Sequence, residues 1–490
     1  MADAILIEPR TGAFDRYLDW GRVPLELLSV GSLPYQKGYD VKIIDQRAEL
    51  NWKEAIRREL TEKTLAVGIP SLTGNKIKHG LECAKFVREE APNVRIVWGG
   101  THATLVPEQT LANPYVDALV LGEGDFVFYE ILEALRTNHS LHGIQGVWYK
   151  TSSGEVVKNP RRPFIKNLDE LPELSYELVD KYMEKYLNRP FGRGTDAITS
   201  RGCGGRCYFC YNLVFNGGFW RGMSAEETLR RLTNVVHRYN LEFVCFLDDN
   251  LFMNLERLKK ICQGIIDSGL NITWRTIGVR VDTLMKMDDS FLKLLWDSGC
   301  REIYVGGETG SPEMMSHIDK NLNVEDMPII NRKLAKFNFI LKFTFICGYP
   351  HEGEEQVQAT VKLAEQLCRE NPNTYTPFFL LAPYPGTKVF DEALSLGFHS
   401  PTSLEEWGNF NQDDWVIKYP PWYSKAKARR LNSIAFTSFF LNPRIANKID
   451  NRLLRWAFKI YGPIARIRFK HNLHGLPVDS IMGRYLTEYL

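Results

Sequence analysis

Cys203-Gly-Gly-Arg-Cys207-Tyr-Phe-Cys210 places three thiols at i, i+4 and i+7 on one short glycine-bearing loop. Three soft ligands at that spacing can hold three irons of a cubane [4Fe-4S] cluster, leaving the fourth iron open to an exogenous chelate. Zinc is the competing reading, but a structural zinc site takes four ligands, usually as two separated pairs. No partner cysteine lies at a suitable distance, and the next histidine, His237, falls in a helix-like run. The other six of the nine cysteines are isolated. Cys245, Cys262 and Cys347 stand in apolar runs and read as small buried hydrophobes.

A loop of this kind needs elements to position it. From about Thr195 apolar runs alternate with helical patterns, with strands at Asp196–Ser200, Glu242–Leu247, Ile272–Thr276, Glu302–Val305, Lys342–Ile346 and Pro377–Leu381. Six βα repeats predict a partial parallel barrel, in which chemistry gathers at the C-terminal strand ends. The cysteine loop follows the first strand and Asp248-Asp249-Asn250 the second. Gly306-Gly307-Glu308, Gly348-Tyr349-Pro350 and Pro383–Thr387 follow the fourth, fifth and sixth. Upstream, runs at Ala4–Ile7, Val41–Asp45, Leu65–Pro70, Arg95–Trp98 and Ala118–Leu121 alternate with helix patterns. That alternation predicts a doubly wound parallel sheet, whose ligands bind beyond the carboxyl ends of the strands. Those ends read Ser71-Leu72-Thr73-Gly74, Gly99-Gly100-Thr101-His102 and Gly122-Glu123-Gly124, small residues whose backbone N–H groups suit phosphate or amide contacts. No GxGxxG follows the first strand, so a dinucleotide is not favoured. The fold class is therefore α/β. Residues 1–140 form a doubly wound (Rossmann/flavodoxin-like) sheet domain, 141–190 a connector with a small hairpin, 191–400 a partial (β/α)6 TIM-type barrel, and 401–490 a basic helical C-terminal domain.

Cys-x-x-x-Cys-x-x-Cys with an aromatic before its last cysteine, at the end of the first strand of a six-fold βα series, resembles the signature of radical S-adenosylmethionine (SAM) enzymes over about Thr195–Phe398. The resemblance implies that SAM chelates the open iron and is cleaved to a 5′-deoxyadenosyl radical. It also implies SAM-binding roles: Phe209 toward adenine through its backbone, Asp248 and Asp249 near the amino group, Arg280 toward the carboxylate and Glu308 on the ribose hydroxyls. Each has a plainer alternative: Asp248-Asp249 as a helix cap, Glu308 as a solvated loop acid, and Arg280 as the partner of a nearby acid.

The first domain is similar to the cobalamin-binding domain that precedes the barrel in cobalamin-dependent (class B) radical SAM enzymes. The match rests on Pro24–Leu28, Gly38–Val41, Gly99–Thr104 and Leu121–Gly124. The resemblance implies a corrinoid held by Ser71, Leu72, Thr73, Gly74, Gly99, Gly100, Thr101, His102, Gly122, Glu123 and Gly124. An Asp-x-His-x-x-Gly motif is absent, so cobalamin is expected base-off without a protein His, with Leu72 at its lower face. The implied activity is that of a methyltransferase: the adenosyl radical takes hydrogen from the substrate, which then takes methyl from methylcobalamin. The alternatives are a non-methylating outcome (cyclisation, ring contraction or oxidation) or a non-catalytic iron–sulfur or corrinoid carrier. No other residue need act as a catalytic base, and an external electron donor of flavodoxin or ferredoxin type is implied.

Composition bounds the rest. The chain has 490 residues, 44% of them hydrophobic, with 61 Lys and Arg against 59 acids for a net +2. That excludes disorder and argues against a whole-protein nucleic-acid binder. No run reaches the ~18–20 apolar residues of a membrane span, and the first residues lack a secretory pattern, so a cytoplasmic location is expected. The near-neutral total hides an asymmetry. Residues 424–490 hold 13 Lys and Arg against 3 acids, a local +10, so the preceding 423 residues carry −8 (48 basic, 56 acidic). Within Arg444–Tyr461, Ile445, Ile449, Leu453, Trp456 and Ile460 share one helical face, with Lys448, Arg452, Arg455 and Lys459 beside it. Residues 443–470 thus offer either a cap packed on the barrel or a peripheral membrane contact. The substrate is expected to be a small or lipid-like molecule.

Overall fold

Short apolar runs separated by amphipathic helices become parallel strands, because each helix carries the chain back to begin the next strand in the same direction. In the computed structural model, which describes residues 2–12, 21–189, 192–410, 420–444, 452–471 and 473, this holds twice. The first sheet consists of β1 (Ala4–Glu8), β2 (Val41–Asp45), β3 (Ala66–Pro70), β4 (Arg95–Gly99), β5 (Ala118–Val120), β6 (Val147–Lys150) and β7 (Val156–Lys158). Its order is β2-β1-β3-β4-β5-β6-β7, parallel as far as β5 and antiparallel beyond. The hairpin β6–β7, which the sequence assigned to the connector, thus extends the first sheet. Val120 pairs with Val147 and Ala118 with Tyr149, because an apolar edge left after β5 would otherwise face water.

The second sheet begins with β8 (Asn188–Arg189) and β9 (Gly192–Ala197). A two-stranded ribbon of β10 (Ser200–Arg201) and β11 (Arg221–Gly222) brackets the cysteine loop. The sheet continues through β12 (Phe243–Phe246), β13 (Thr273–Arg280), β14 (Cys300–Glu308), β15 (Ile340–Cys347), β16 (Thr374–Tyr375) and β17 (Phe378–Leu380). Its order is β16-β15-β14-β13-β12-β9-β8, with β17 pairing β15. The core pairs are parallel, giving the open, partial barrel that the six repeats imply. Its helices start where the sequence supplies caps: Ser224, Asn254, Asp288 and Thr387 each accept a backbone N–H from three residues on.

One continuous apolar core joins the two sheets, running from Leu6, Val41 and Val97 through the connector residues Leu178, Tyr182 and Tyr186 to Val244, Ile303 and Phe343. The connector is therefore packed structure. Tyr186 donates to Asp45 at the end of β2, 2.5 Å away. The C-terminal region divides in two. The helix Leu404–Gly408 leaves the barrel and packs on the first domain, where Leu404 and Trp407 join the core of Ile77, Ala84 and Leu119. Burying Trp407 there contributes about 3 kcal/mol of hydrophobic stabilisation. The helices Lys425–Ser438 and Arg452–Lys470 cover the β17 edge: Ser438 accepts from Phe378 N, and Phe378 and Phe469 stack edge to face. Ile445, Lys448 and Ile449 lie outside the described residues, as does the side chain of Leu453. No helix among the described residues is long and apolar enough to cross a membrane.

Candidate functional site

The cysteine loop is held at its N-terminal end by the acids that follow β12. Asp249 accepts from Gly202 N at 2.8 Å. Asp248, fully buried, accepts from Thr199 N, Thr199 Oγ1 and Ser200 Oγ at 3.1, 2.9 and 2.5 Å. Burial pushes the Asp248 carboxyl above its usual range, against those bonds and the nearby Arg257 charge. Neither acid caps a helix; that work falls to Asn254. On its other side the loop is tied to the barrel by Tyr208 N to Ile318 O and by Val389 N to Tyr208 O.

Within the loop, Gly205 N donates to Cys203 Sγ (3.4 Å), Asn250 Nδ2 approaches Cys203 Sγ (3.7 Å), and Arg280 Nη1 stands 4.0 Å from Cys207 Sγ. These donors suit thiolates, whose negative charge they offset. Burial pushes the Cys207 thiol up and that of Cys210 to about 12. Bare thiolates are disfavoured at these two positions, a cost that a bound metal would offset. Among the described residues no group of three or more His, Cys, Asp or Glu converges to hold one metal ion. Three thiols on one loop are the donor set that suits a multinuclear cluster with one thiolate to each of three irons, whereas a structural zinc takes four ligands.

The residues assigned to SAM ring this loop unevenly. Phe209 lies 6.0 Å from Tyr349, ring centre to ring centre, and the Tyr349 hydroxyl is buried without a hydrogen-bond partner among the described residues. Glu308 ends β14 with φ +63° after a shift in strand register, and its carboxylate meets Lys320 Nζ at 2.5 Å. Gly306 makes that pair possible, since a Cβ there would stand 2.4 Å from Lys320 Nζ. Arg280 pairs with Asp282 at 3.0 Å and donates to Lys320 O at 2.8 Å. Lys320 had no sequence signal: it lies twelve residues beyond Glu308 in an irregular stretch.

Between the sheets lies a cavity of about 730 Å³ lined by the carboxyl ends of both. From the first domain come Gly99, Gly100, Thr101, Gly122, Glu123 and Gly124; from the barrel come Thr199, Ser200, Arg201, Tyr211 and Asp249. Of the eleven residues assigned to a corrinoid, these first six line the cavity, and Ser71, Leu72, Thr73, Gly74 and His102 do not. The reason is the Leu404–Gly408 helix. Trp407 O accepts from Gly74 N at 3.1 Å, and the Trp407 ring lies 5.3 Å from that of His102. His102 is sealed from solvent, with Thr73 Oγ1 2.9 Å from its Nδ1 and its Nε2 without a partner among the described residues. Burial holds it neutral, with a pKa lowered to about 3. Ser71 braces the neighbouring loop, donating to Gly99 O and accepting from Ala103 N. Gly100, at φ +91°, fits only without a Cβ, which would meet Ser71 O at 2.8 Å. Leu72 is half-exposed. Gly99, Gly100, Gly122 and Gly124 expose backbone on this side of the cavity beside apolar side chains such as Trp98 and Phe128, a lining that suits the flat face and amide rim of a corrin.

Glu123 is held by the barrel. It bonds Arg201 at 2.8 Å and Arg221 at 2.9 Å and accepts from Ile165 N. Asp125 pairs with the same Arg201 and accepts from Ser29. Arg201 is the residue two before the first cysteine, so one guanidinium links the Gly122–Asp125 loop to the cysteine loop. Arg201 and Asp125 each adjoin a motif the sequence singles out, but their pairing spans 76 residues and carries no local signal.

Comparison with known proteins agrees with this geometry. The family model of the radical SAM superfamily matches residues 197–364 and that of the B12 binding domain residues 22–132. An uncharacterized methyltransferase of Pyrococcus horikoshii is 32% identical over 469 residues, covering 93% of this chain and 98% of the relative. The anaerobic magnesium-protoporphyrin IX monomethyl ester cyclase of Rubrivivax gelatinosus is 24% identical over 367 residues, 72% of this chain and 63% of that one. Among solved structures, the radical SAM methyltransferase TsrM of Kitasatospora setae, with cobalamin and a [4Fe-4S] cluster bound, superposes with a TM-score of 0.69 at 16% identity, covering 95% of this chain and 99% of TsrM. That likeness bears on the fold.

Proposed function

The chain belongs to the radical SAM superfamily, in the cobalamin-dependent branch with an N-terminal B12-binding domain, and from that premise we propose that it transfers a methyl group to an unactivated carbon, or less often phosphorus, of a small or lipid-like substrate. The observation that carries the reading is the shared cavity: the Gly99–Thr101 and Gly122–Gly124 loops of the first domain, the residues that flank the cysteine loop (Thr199–Arg201 and Tyr211) and Asp249 line one space. When bound, the cluster and SAM supply reductive cleavage to a hydrogen-abstracting radical, and cobalamin supplies the methyl group.

What the chain itself contributes is placement and exclusion of water. Cys203, Cys207 and Cys210 are the cluster ligands, with Asn250, Gly205 N and Arg280 offsetting thiolate charge. The Phe209 and Tyr349 rings form an apolar wall beside them. The Glu308–Lys320 pair presents a buried carboxylate held in one orientation, able to accept hydrogen bonds from hydroxyl groups, and Arg280 and Asp249 supply opposite charges for the two ends of an amino acid moiety. Gly99 to Thr101 and Gly122 to Gly124 are the corrinoid floor. His102 stays out of the cavity, so a corrinoid bound there would receive no imidazole from it. No strong base is needed, since hydrogen leaves as an atom. Electrons come from a flavodoxin- or ferredoxin-type donor, and no nucleic acid takes part.

A second reading keeps both cofactors and ends in cyclisation, ring contraction or oxidation; the similarity to a protein named as a cyclase favours keeping it. Anaerobic reconstitution with iron, sulfide and cobalamin, followed by reductant and SAM, separates the two. Methyl transfer yields S-adenosylhomocysteine alongside 5′-deoxyadenosine. 5′-Deoxyadenosine alone rejects methylation and leaves the second reading.

A further inference from the structure

The helix Arg452–Lys470 has two faces with different fates. Tyr461, Ala465 and Phe469 are buried against the Lys425–Ser438 helix, the Phe439–Leu441 turn beyond it, and the barrel. Phe458 stacks on Phe440 at 4.3 Å, Tyr461 meets Phe436, and Phe469 meets Phe378. The helix is thus anchored through one side. On the opposite side Trp456, Ile460, Ile464 and Ile467 are 66%, 51%, 49% and 56% exposed. Spacings of four, four and three residues align them in one stripe along the helix. The expectation that Trp456 and Ile460 share a face holds, but that face is turned outward and the opposite one packs.

The chemistry beside the stripe selects its occupant. The helix carries Arg452, Arg455, Lys459, Arg466, Arg468 and Lys470 and no acidic residue. Arg452 and Lys459, both exposed, flank the stripe on one side. An acid-free helix with a Trp/Ile stripe bordered by cations matches the interfacial region of an anionic bilayer: apolar side chains enter the acyl boundary, Trp sits at headgroup depth, and the cations meet lipid phosphates. We propose that this face docks the protein peripherally on anionic membrane, with the helix lying in the plane of the interface. The docking stands independently of the reaction performed in the cavity.

Co-sedimentation of the full-length holoprotein with two vesicle types tests this: phosphatidylcholine alone, and phosphatidylcholine with about one third phosphatidylglycerol. The expected result is pelleting with the anionic vesicles, weakened by added salt. Trp456→Glu/Ile460→Glu removes the apolar insertion and Arg452→Glu/Lys459→Glu the attraction; each is expected to lower partitioning about tenfold. Because all four side chains are on the surface, circular dichroism and thermal melting should match the parent. Equal binding to both vesicle types, no binding to either, or binding indifferent to either pair of substitutions overturns the proposal. So does light scattering that shows a dimer abolished by Trp456→Glu/Ile460→Glu, since the stripe would then be covered by a second copy.

Discussion

Arg201 and Asp125 meet through two parallel hydrogen bonds, 2.7 and 2.9 Å long, across the seam between the first domain and the barrel. Glu123 joins Arg201 from the same loop and binds Arg221 as well. The acids stand among the glycines of the loop that follows β5 and lines the cavity, and Arg201 precedes the cysteine loop. The spacing of the Gly122–Gly124 loop and the cysteine loop is therefore set by charge-assisted, geometrically fixed bonds in addition to the shared apolar core.

Breaking such a pair from one side leaves a buried charge without its partner. Asp125→Asn and Arg201→Gln are each expected to cost about 3 kcal/mol, and the double variant clearly less than their sum. Denaturant unfolding followed by tryptophan fluorescence reads the coupling; strictly additive losses would show that the two side chains do not act as a unit.

Glu352 gives a pH signature. It is buried after β15, with Oε2 accepting from Gly348 N and Oε1 lacking a partner among the described residues. Burial raises its pKa to about 7. Below pH ~4.5 both folded and unfolded chains hold the proton, so nothing is lost. Between pH ~4.5 and ~7 the unfolded chain releases it and the folded chain does not, so stability falls as pH rises through that window and stays lower above it. The full difference is about 3 kcal/mol. Glu352→Gln, which keeps an acceptor for Gly348 N, is expected to be more stable than the parent at pH 8 and equal to it near pH 4.5. A stability difference that does not change with pH would contradict this.

His102 is the histidine nearest the corrinoid floor, yet it is shut behind Trp407 and Thr73. The expected electron paramagnetic resonance spectrum of protein loaded with cob(II)alamin is that of a base-off corrinoid without axial nitrogen splitting, unchanged in His102→Gln. Nitrogen splitting that vanishes in the variant would make His102 a cobalt ligand. The buried ring also titrates in the opposite sense to Glu352. Its pKa is depressed to about 3, so its contribution is intact above pH ~6.5 and is lost as pH falls toward 3.

Most of the fold was legible because its signals are local. Alternating apolar runs placed the strands of both sheets to within a few residues, and the spacing of Cys203, Cys207 and Cys210 carried the cluster chemistry. What stayed hidden depends on contacts between distant residues. Nothing near Trp407 marks it as the cover of Gly74 and His102, so Ser71 to Gly74 read as cofactor contacts when four of the five non-lining residues are buried or braced by protein. Glu123 stands out in the sequence through its glycine-rich motif, but nothing in that motif marks the two barrel arginines that hold it. The hairpin β6–β7 read as connector because antiparallel pairing to β5 is invisible in a period-two pattern. The tail's periodicity was clear, but periodicity alone does not say which of two apolar faces of the Arg452–Lys470 helix is buried.

The most direct test of the central claim, that the three thiols carry a cluster which cleaves SAM, is 5′-deoxyadenosine formation by reconstituted parent and Cys207→Ala under reductant, with corrinoid binding followed in the same samples. The account predicts 5′-deoxyadenosine from the parent, none from Cys207→Ala, loss of the cluster absorbance in that variant, and an unchanged corrinoid spectrum in both. SAM cleavage persisting in Cys207→Ala, or absent from a fully reconstituted parent, would contradict it.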